Sequence, residues 1–381
     1  MNNDATPSWV DEFPVNEEVL YLNHAAVAPW PERAREAVST FAAENTAFGA
    51  TNYPQWIKTE QALKHNLEQL IDAPAGSVAL VKNTSEALSF VAAGIDWQDG
   101  DLVVITDQEF PSNRIVWQSL EKRGVKVVEV SLPWDAPEKE LLEAIAQKPR
   151  LVSVSAVQYA TGLTLDVLSL GEACRSAGTL FCVDAIQATG VLPFSVQAIQ
   201  ADFAMADGHK WLLGPEGLGF FYVNPDVMDQ LAVTEYGWHM VEDVGNYDNR
   251  DWQLAADARR FECGSPNMLA ATALKASTDL LLEVGMTEVA TQAVSNVLYL
   301  RQLLEDKNAV FVNPLVDKRP SGILTFHFLG KDSGKIYKLL MENGIICAHR
   351  GGGIRFSPHF HTTQEVMNDA IDALEFILEM V

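Results

Sequence analysis

The sequence predicts an α/β protein: a mainly parallel, seven-stranded sheet in a large domain, followed by a smaller α+β C-terminal domain. Three observations carry this. From residue 78 onward, short apolar runs alternate with helix-like stretches, the pattern of strands joined by helical crossovers. Runs such as Phe181-Cys182-Val183 are continuously apolar, as strands covered on both faces must be. After residue 283 the repeat gives way to a few short strands and a terminal helix. The chain has 381 residues, 48% hydrophobic and 20% charged, enough for two domains with a large core.

The elements follow in order. Residues 1–20 form an N-terminal arm. The large domain is expected over 21–260 and the remainder over 261–381. Residues 31–48 and 56–71 carry helix-forming composition. Strands are expected at 78–81, 102–106, 125–130, 151–155, 179–183, 202–206 and 218–223. Residues 226–260, rich in Trp, Tyr, Asp and Gly, read as a long structured loop. A helix over about 267–283 leads into strands at 322–328 and 344–347, with 354–356 beside them. The last helix spans about 363–380.

Composition excludes several functions. The net charge of −24 opposes nucleic-acid binding, which needs cations to displace counterions. No stretch is long and apolar enough to span a bilayer. Residues 1–7 lack the basic start and apolar core of a signal peptide. The four cysteines are scattered, with no metal or disulfide spacing, so a cytoplasmic setting is expected. His359 and His361 lack acidic partners in sequence, and no metal site is expected.

Three motifs carry chemistry. In Asp207-Gly208-His209-Lys210-Trp211 a lysine stands on a loop between two apolar strands. A lysine walled in this way can lose its proton and act as an amine nucleophile. Asp184 ends the strand before it, and ligands of parallel sheets bind beyond strand C-termini. Asn83 followed by Glu86 reads as a capping box opening a helix after strand 78–81. The free N–H groups of its first turn, with the Thr84 and Ser85 hydroxyls, form an anion site. A lysine, a carboxylate and a phosphate cup are the parts of a pyridoxal phosphate site.

With these residues the chain resembles the class V aminotransferases, fold-type I pyridoxal-phosphate enzymes that include cysteine desulfurases, kynureninase and isopenicillin N epimerase. The resemblance runs from Tyr21-Leu22-Asn23-His24 to Arg355-Phe356-Ser357-Pro358. It implies pyridoxal 5′-phosphate held covalently by Lys210, with Asp184 on the ring nitrogen and Gln187 on the ring hydroxyl. Thr84, Ser85 and His209 would hold the phosphate, and Phe110 would stack on the ring, where desulfurases carry His. Gln158 and Tyr159 match a strand end near the ring hydroxyl. Arg355 would grip the substrate α-carboxylate. Ser265 would reach the phosphate of a neighbouring subunit, which implies a homodimer with composite sites. His24 reads equally as pocket lining or as a turn residue, and Trp238 and His239 are expected in the pocket wall.

Two departures matter. The family's phosphate-binding Ser is replaced by Asp207, which is expected to point away from a phosphate. Desulfurases also carry a cysteine on a loop before the arginine. Here the nearby thiol is Cys347, at the end of an apolar run, and it reads as core. The resemblance thus implies an enzyme acting on a small-molecule substrate, an amino acid, by transamination or related Cα/Cβ chemistry. Lys210 would take the α-proton and Asp184 would keep the ring protonated. The alternatives are a cysteine desulfurase or lyase, an amino-acid epimerase, and a cofactor-binding protein without catalysis.

Overall fold

The computed structural model describes residues 9–381. The thirteen strands, in chain order, are β1 (Leu20–Tyr21), β2 (Val78–Val81), β3 (Leu102–Thr106), β4 (Lys126–Val130), β5 (Leu151–Ser155), β6 (Leu180–Asp184), β7 (Phe203–Asp207), β8 (Gly219–Val223), β9 (Val310–Phe311), β10 (Leu324–His327), β11 (Ile345–Ile346), β12 (Ala348–Arg350) and β13 (Gly353–Phe356). Seven of them form the large sheet in the order β2-β8-β7-β6-β5-β3-β4. β8 runs antiparallel to both neighbours, and the other pairs run parallel. The continuous apolar runs of β6 and β8, and β5 with its two serines, are buried because helices cover both faces.

The parallel strands β5, β6 and β7 all end at one edge. Register sets Ser155 beside Asp184, and Asp184 beside Met205. The strand-end residues and the loops after them therefore converge on a single crevice, as open parallel sheets require.

Helix Met268–Val284 packs against the helices Glu32–Phe48 and Tyr53–Leu70. Its N-cap is Asn267, whose side chain accepts from the Ala270 N–H. Beyond it, β9, β10, β12 and β13 form a separate four-stranded sheet under helices Ser333–Glu342 and Gln364–Met380. One expectation needs correction. β11 does not lie beside β13 in that sheet; it pairs in parallel with β1, Leu20 opposite Ile345. The chain near residue 20 thus joins the C-terminal part, and Leu22 is buried in its core. Of the arm, residues 1–8 lie outside the described residues, and Phe13 is buried and stacks on His361.

Candidate active site

The crevice at the strand ends holds a cavity of about 300 Å³. Lys210, Asp184, Thr84, Ser85, Phe110, Gln187, His209 and Arg355 all line it, drawn from five separate segments of the chain.

The Lys210 loop is set by Trp211, which is wholly buried. The ring occupies space that a side chain at Gly322 would fill, since a Cβ there would lie 2.4 Å from it. Gly190, at φ +95°, lets the Trp211 carbonyl approach equally closely. Trp211 Nε1 donates to Gln187 Oε1 at 2.8 Å, and Gln187 Nε2 donates to the Ala25 carbonyl at 3.0 Å. Lys210 therefore leaves a clamped residue and opens onto the cavity. Its Nζ stands 5.8 Å from the centre of the Phe110 ring. Burial lowers its pKa to about 8; Asp184 pulls it back up, and Arg355 pushes it further down.

Asp184 accepts from the Ile186 N–H at 3.0 Å. Burial pushes its carboxyl up to about 7. The Ile186 N–H and Lys210 favour its anion, and a further cation brought into the cavity would favour it more. Arg355, on β13, donates through Nη1 to the Tyr159 carbonyl at 2.7 Å, while its Nε–H is buried without a partner. Burial and the nearby Arg350 lower its pKa to about 10. An unmatched guanidinium facing a cavity suits a carboxylate ligand.

The opposite end of the cavity contains a surprise for sequence reasoning. Asn83 caps the helix Thr84–Gly94, accepting from the Glu86 N–H. The Glu86 carboxylate, however, returns to the Lys82 N–H at 2.6 Å and not to Asn83. Asp207 does not point away. Its Oδ1 accepts from both the Thr84 N–H and the Thr84 hydroxyl, the latter at 3.0 Å. Its Oδ2 lies 3.4 Å from His209 Nδ1.

Four residues expected at the cavity lie elsewhere, and Ser265, expected at a neighbour's site, stands outside this cavity. His24 is buried behind the turn whose next residues, Ala25 to Val27, line the cavity. Its Nδ1 bonds the Ser357 carbonyl at 2.9 Å and its Nε2 bonds His361 Nε2 at 3.0 Å. Gln158 is buried with Nε2 directed to Glu109 at 3.2 Å. Ser265 is exposed beside a different cavity, shared with Cys263 and Glu235. Trp238 and His239 line other cavities.

The residues missed by sequence reasoning include Ser112, Ser155, Arg350 and Glu216, all in the cavity wall. Glu109 lies just beneath. It accepts from Thr106 Oγ1 and Asn113 Nδ2, each at 2.8 Å, and from the Ser155 N–H at 3.0 Å. A glutamate on a loop reads as solvated. Only its position directly after a strand that ends at the crevice signals otherwise.

A family model for aminotransferase class V matches residues 20–365. The chain belongs to the class V aminotransferase family. It is 29% identical to a probable cysteine desulfurase of Methanothermobacter thermautotrophicus, over 97% of each chain. It is 28% identical to isopenicillin N epimerase of Streptomyces clavuligerus, over 94% of each. Its fold matches an apo cysteine desulfurase from Thermococcus onnurineus NA1 with a TM-score of 0.90, at 23% identity and full coverage of both chains.

As a member of this family the protein is a pyridoxal phosphate-dependent enzyme. The cavity fits the cofactor at its reactive end, where an amine of lowered pKa and a buried carboxylate stand together. At the phosphate end, Ser85, Ser112 and His209 remain as donors beside Asp207. When bound, the cofactor supplies an electron sink for the pair left at the substrate Cα. Among the described residues, no helix is long and apolar enough to cross a membrane.

Proposed function

We propose that this enzyme removes the α-proton of an amino acid with Lys210 and completes a transamination or related Cα/Cβ reaction without a thiol of its own. The carrying observation is where the thiols stand. None of the four cysteines lines the cavity. Cys347 is buried, and burial pushes its thiol up to about 12. Cys174 is likewise raised to about 12, and burial raises Cys182 as well. Only a thiolate is a competent nucleophile, so these three are inert near neutral pH. Cys263 belongs to the neighbouring cavity.

The chain before Arg355 reinforces this. β12 and β13 form a hairpin in which Arg350 pairs with Gly353. Gly351 and Gly352 take φ of +58° and +78°, a tight two-residue turn. No loop is left there to swing a thiol to the substrate. In this reading Arg355 orients the substrate by its α-carboxylate. Lys210, neutral in part near pH 8, accepts the α-proton at Nζ. Arg350 adds a second cation at the mouth.

The test is incubation with a panel of amino acids including L-cysteine, followed by product analysis and intact-mass measurement. The expected outcome is 2-oxo acid or a β-elimination product, with all four cysteines unmodified. Alanine formed together with a persulfide on Cys347 would sink the reading.

A homodimer with composite sites belongs to the same proposal. Ser265 stands exposed at the head of the helix Met268–Val284, where a partner's anion could meet it. A fully active monomer in sedimentation would exclude this. Four unpaired cysteines support a cytoplasmic location.

A further inference from the structure

Asp207 sits on the donors that a phosphate would use. The helix Thr84–Gly94 offers its first-turn N–H groups to the cavity, and the Glu86 N–H is already taken by Asn83. The Thr84 N–H and hydroxyl are both taken by Asp207. The Ser85 hydroxyl is bonded to Ser112 Oγ at 2.8 Å. His209 faces the second Asp207 oxygen, and the side chains of that pair are only 15% and 13% exposed. Thr84, Ser85, Asp207 and His209 all line the cavity. The cup that should receive a phosphate is therefore partly occupied, at its Thr84 donors, by a carboxylate of the chain itself. The fit is chemical as well as geometric, because a carboxylate at a helix N-terminus makes the same bonds as a phosphate oxygen.

We propose that Asp207 is an internal competitor for the cofactor's phosphate, so that this enzyme holds pyridoxal phosphate mainly through the ring end and gains little affinity from the phosphate. The proposal rests on pyridoxal phosphate being the cofactor. Two effects act together. The carboxylate occupies the Thr84 donors, and a phosphate dianion brought beside it meets a like charge. His209 offsets little of that charge, because burial lowers its pKa and favours the neutral imidazole. Removing the carboxylate should free the helix terminus and leave Ser85, Ser112, Thr84 and His209 as an ordinary phosphate cup.

The test is equilibrium binding, read by cofactor absorbance and protein fluorescence, with no turnover needed. Cofactor-free wild type, Asp207→Ser and Asp207→Asn are each titrated with pyridoxal phosphate, pyridoxal and inorganic phosphate. Asn keeps the shape and an acceptor for Thr84 while removing the charge. In wild type, the two cofactor forms should bind within about tenfold of each other, and inorganic phosphate should not compete. In both variants the preference for the phosphorylated form should rise by at least about tenfold, with inorganic phosphate now competing. A preference that stays the same or falls in folded Asp207→Asn, judged by circular dichroism, overturns the proposal. Asp207 would then be a positioning residue for Thr84 and His209. If Asp207→Ser fails to fold, Asp207→Asn alone decides. A wild type that binds pyridoxal phosphate at Lys210 with strong preference overturns the proposal while leaving the cofactor intact. A wild type that binds neither form overturns the cofactor reading and the proposal with it.

Discussion

Two lysines are walled in by this fold, and they have opposite fates. Lys210 lines the cavity at the strand ends, and burial brings its pKa down to about 8. Lys64, on the helix Tyr53–Leu70, lies between Glu60 at 3.0 Å and Glu262 at 2.8 Å. Burial alone would lower Lys64 as well, but Glu262 and Glu60 outweigh it and hold the ammonium above its ordinary range. His239 completes that cluster, 3.5 Å from Glu262. Glu60, His239 and Glu262 bring ligand atoms within 4.8 Å of one another, the spacing of a metal site, yet Lys64 already supplies the cation. Burial does not by itself make an amine reactive. Whether a carboxylate touches the amine decides between a base and a strut.

Replacing each lysine sharpens the contrast. Lys210→Ala should lower turnover by about 10³-fold or more, within the range for losing a general base. It should also abolish the covalent link, so that after borohydride reduction mass spectrometry finds no cofactor on the protein. Label retained on another lysine would end the assignment. The stability of this variant should change little.

Lys64→Ala should do the reverse. It leaves Glu60 and Glu262 buried without their cation, a loss of about 3–5 kcal/mol. Urea unfolding should show the drop, while turnover per folded molecule stays near wild type. A variant as stable as wild type would mean that water reaches the cluster and the lysine is not its strut.

The smallest effect is in pH. In cofactor-free protein, labelling of Lys210 by an amine-reactive reagent should be half-maximal near pH 8, whereas Lys64 should resist labelling beyond its ordinary 10.5. The stability consequence has a definite sign. Between about pH 8 and 10.5 the unfolded chain holds a proton at residue 210 that the folded chain has lost. The contribution of Lys210 to folding stability therefore rises with pH across that window. A Lys210→Met variant should lack this rise, and an unchanged pH profile would contradict the lowered pKa.

Only one of the two lysines stands out in its local sequence. Lys210 was legible because its neighbours are unusual: an Asp-Gly turn, a His and a Trp between two apolar strands. Lys64 reads as an ordinary helix-face lysine, and its partner Glu262 lies 198 residues away. Asp184 was legible because it ends a continuous apolar run. Glu109 was not, because its partners Ser155 and Gln158 come from β5 and the turn after it. His24 could be read either as wall or as core, and its contact with His361, 337 residues away, buries it.

By itself, the sequence determined the seven strands, the helix opening at Asn83, and the lysine and aspartate at the strand ends, whereas the arginine that faces them was implied only by the family resemblance. The former depend on apolar periodicity, caps and strand ends, which neighbours in the chain specify. The tertiary structure alone decided that β11 would join β1, that the hairpin before Arg355 would close without a thiol at the cavity, and that Asp207 would turn onto Thr84. The physical reason is that a polar group bonds whatever donor the packing brings within about 3 Å. Sheet order brings the end of β7 to the head of the helix after β2, 123 residues earlier.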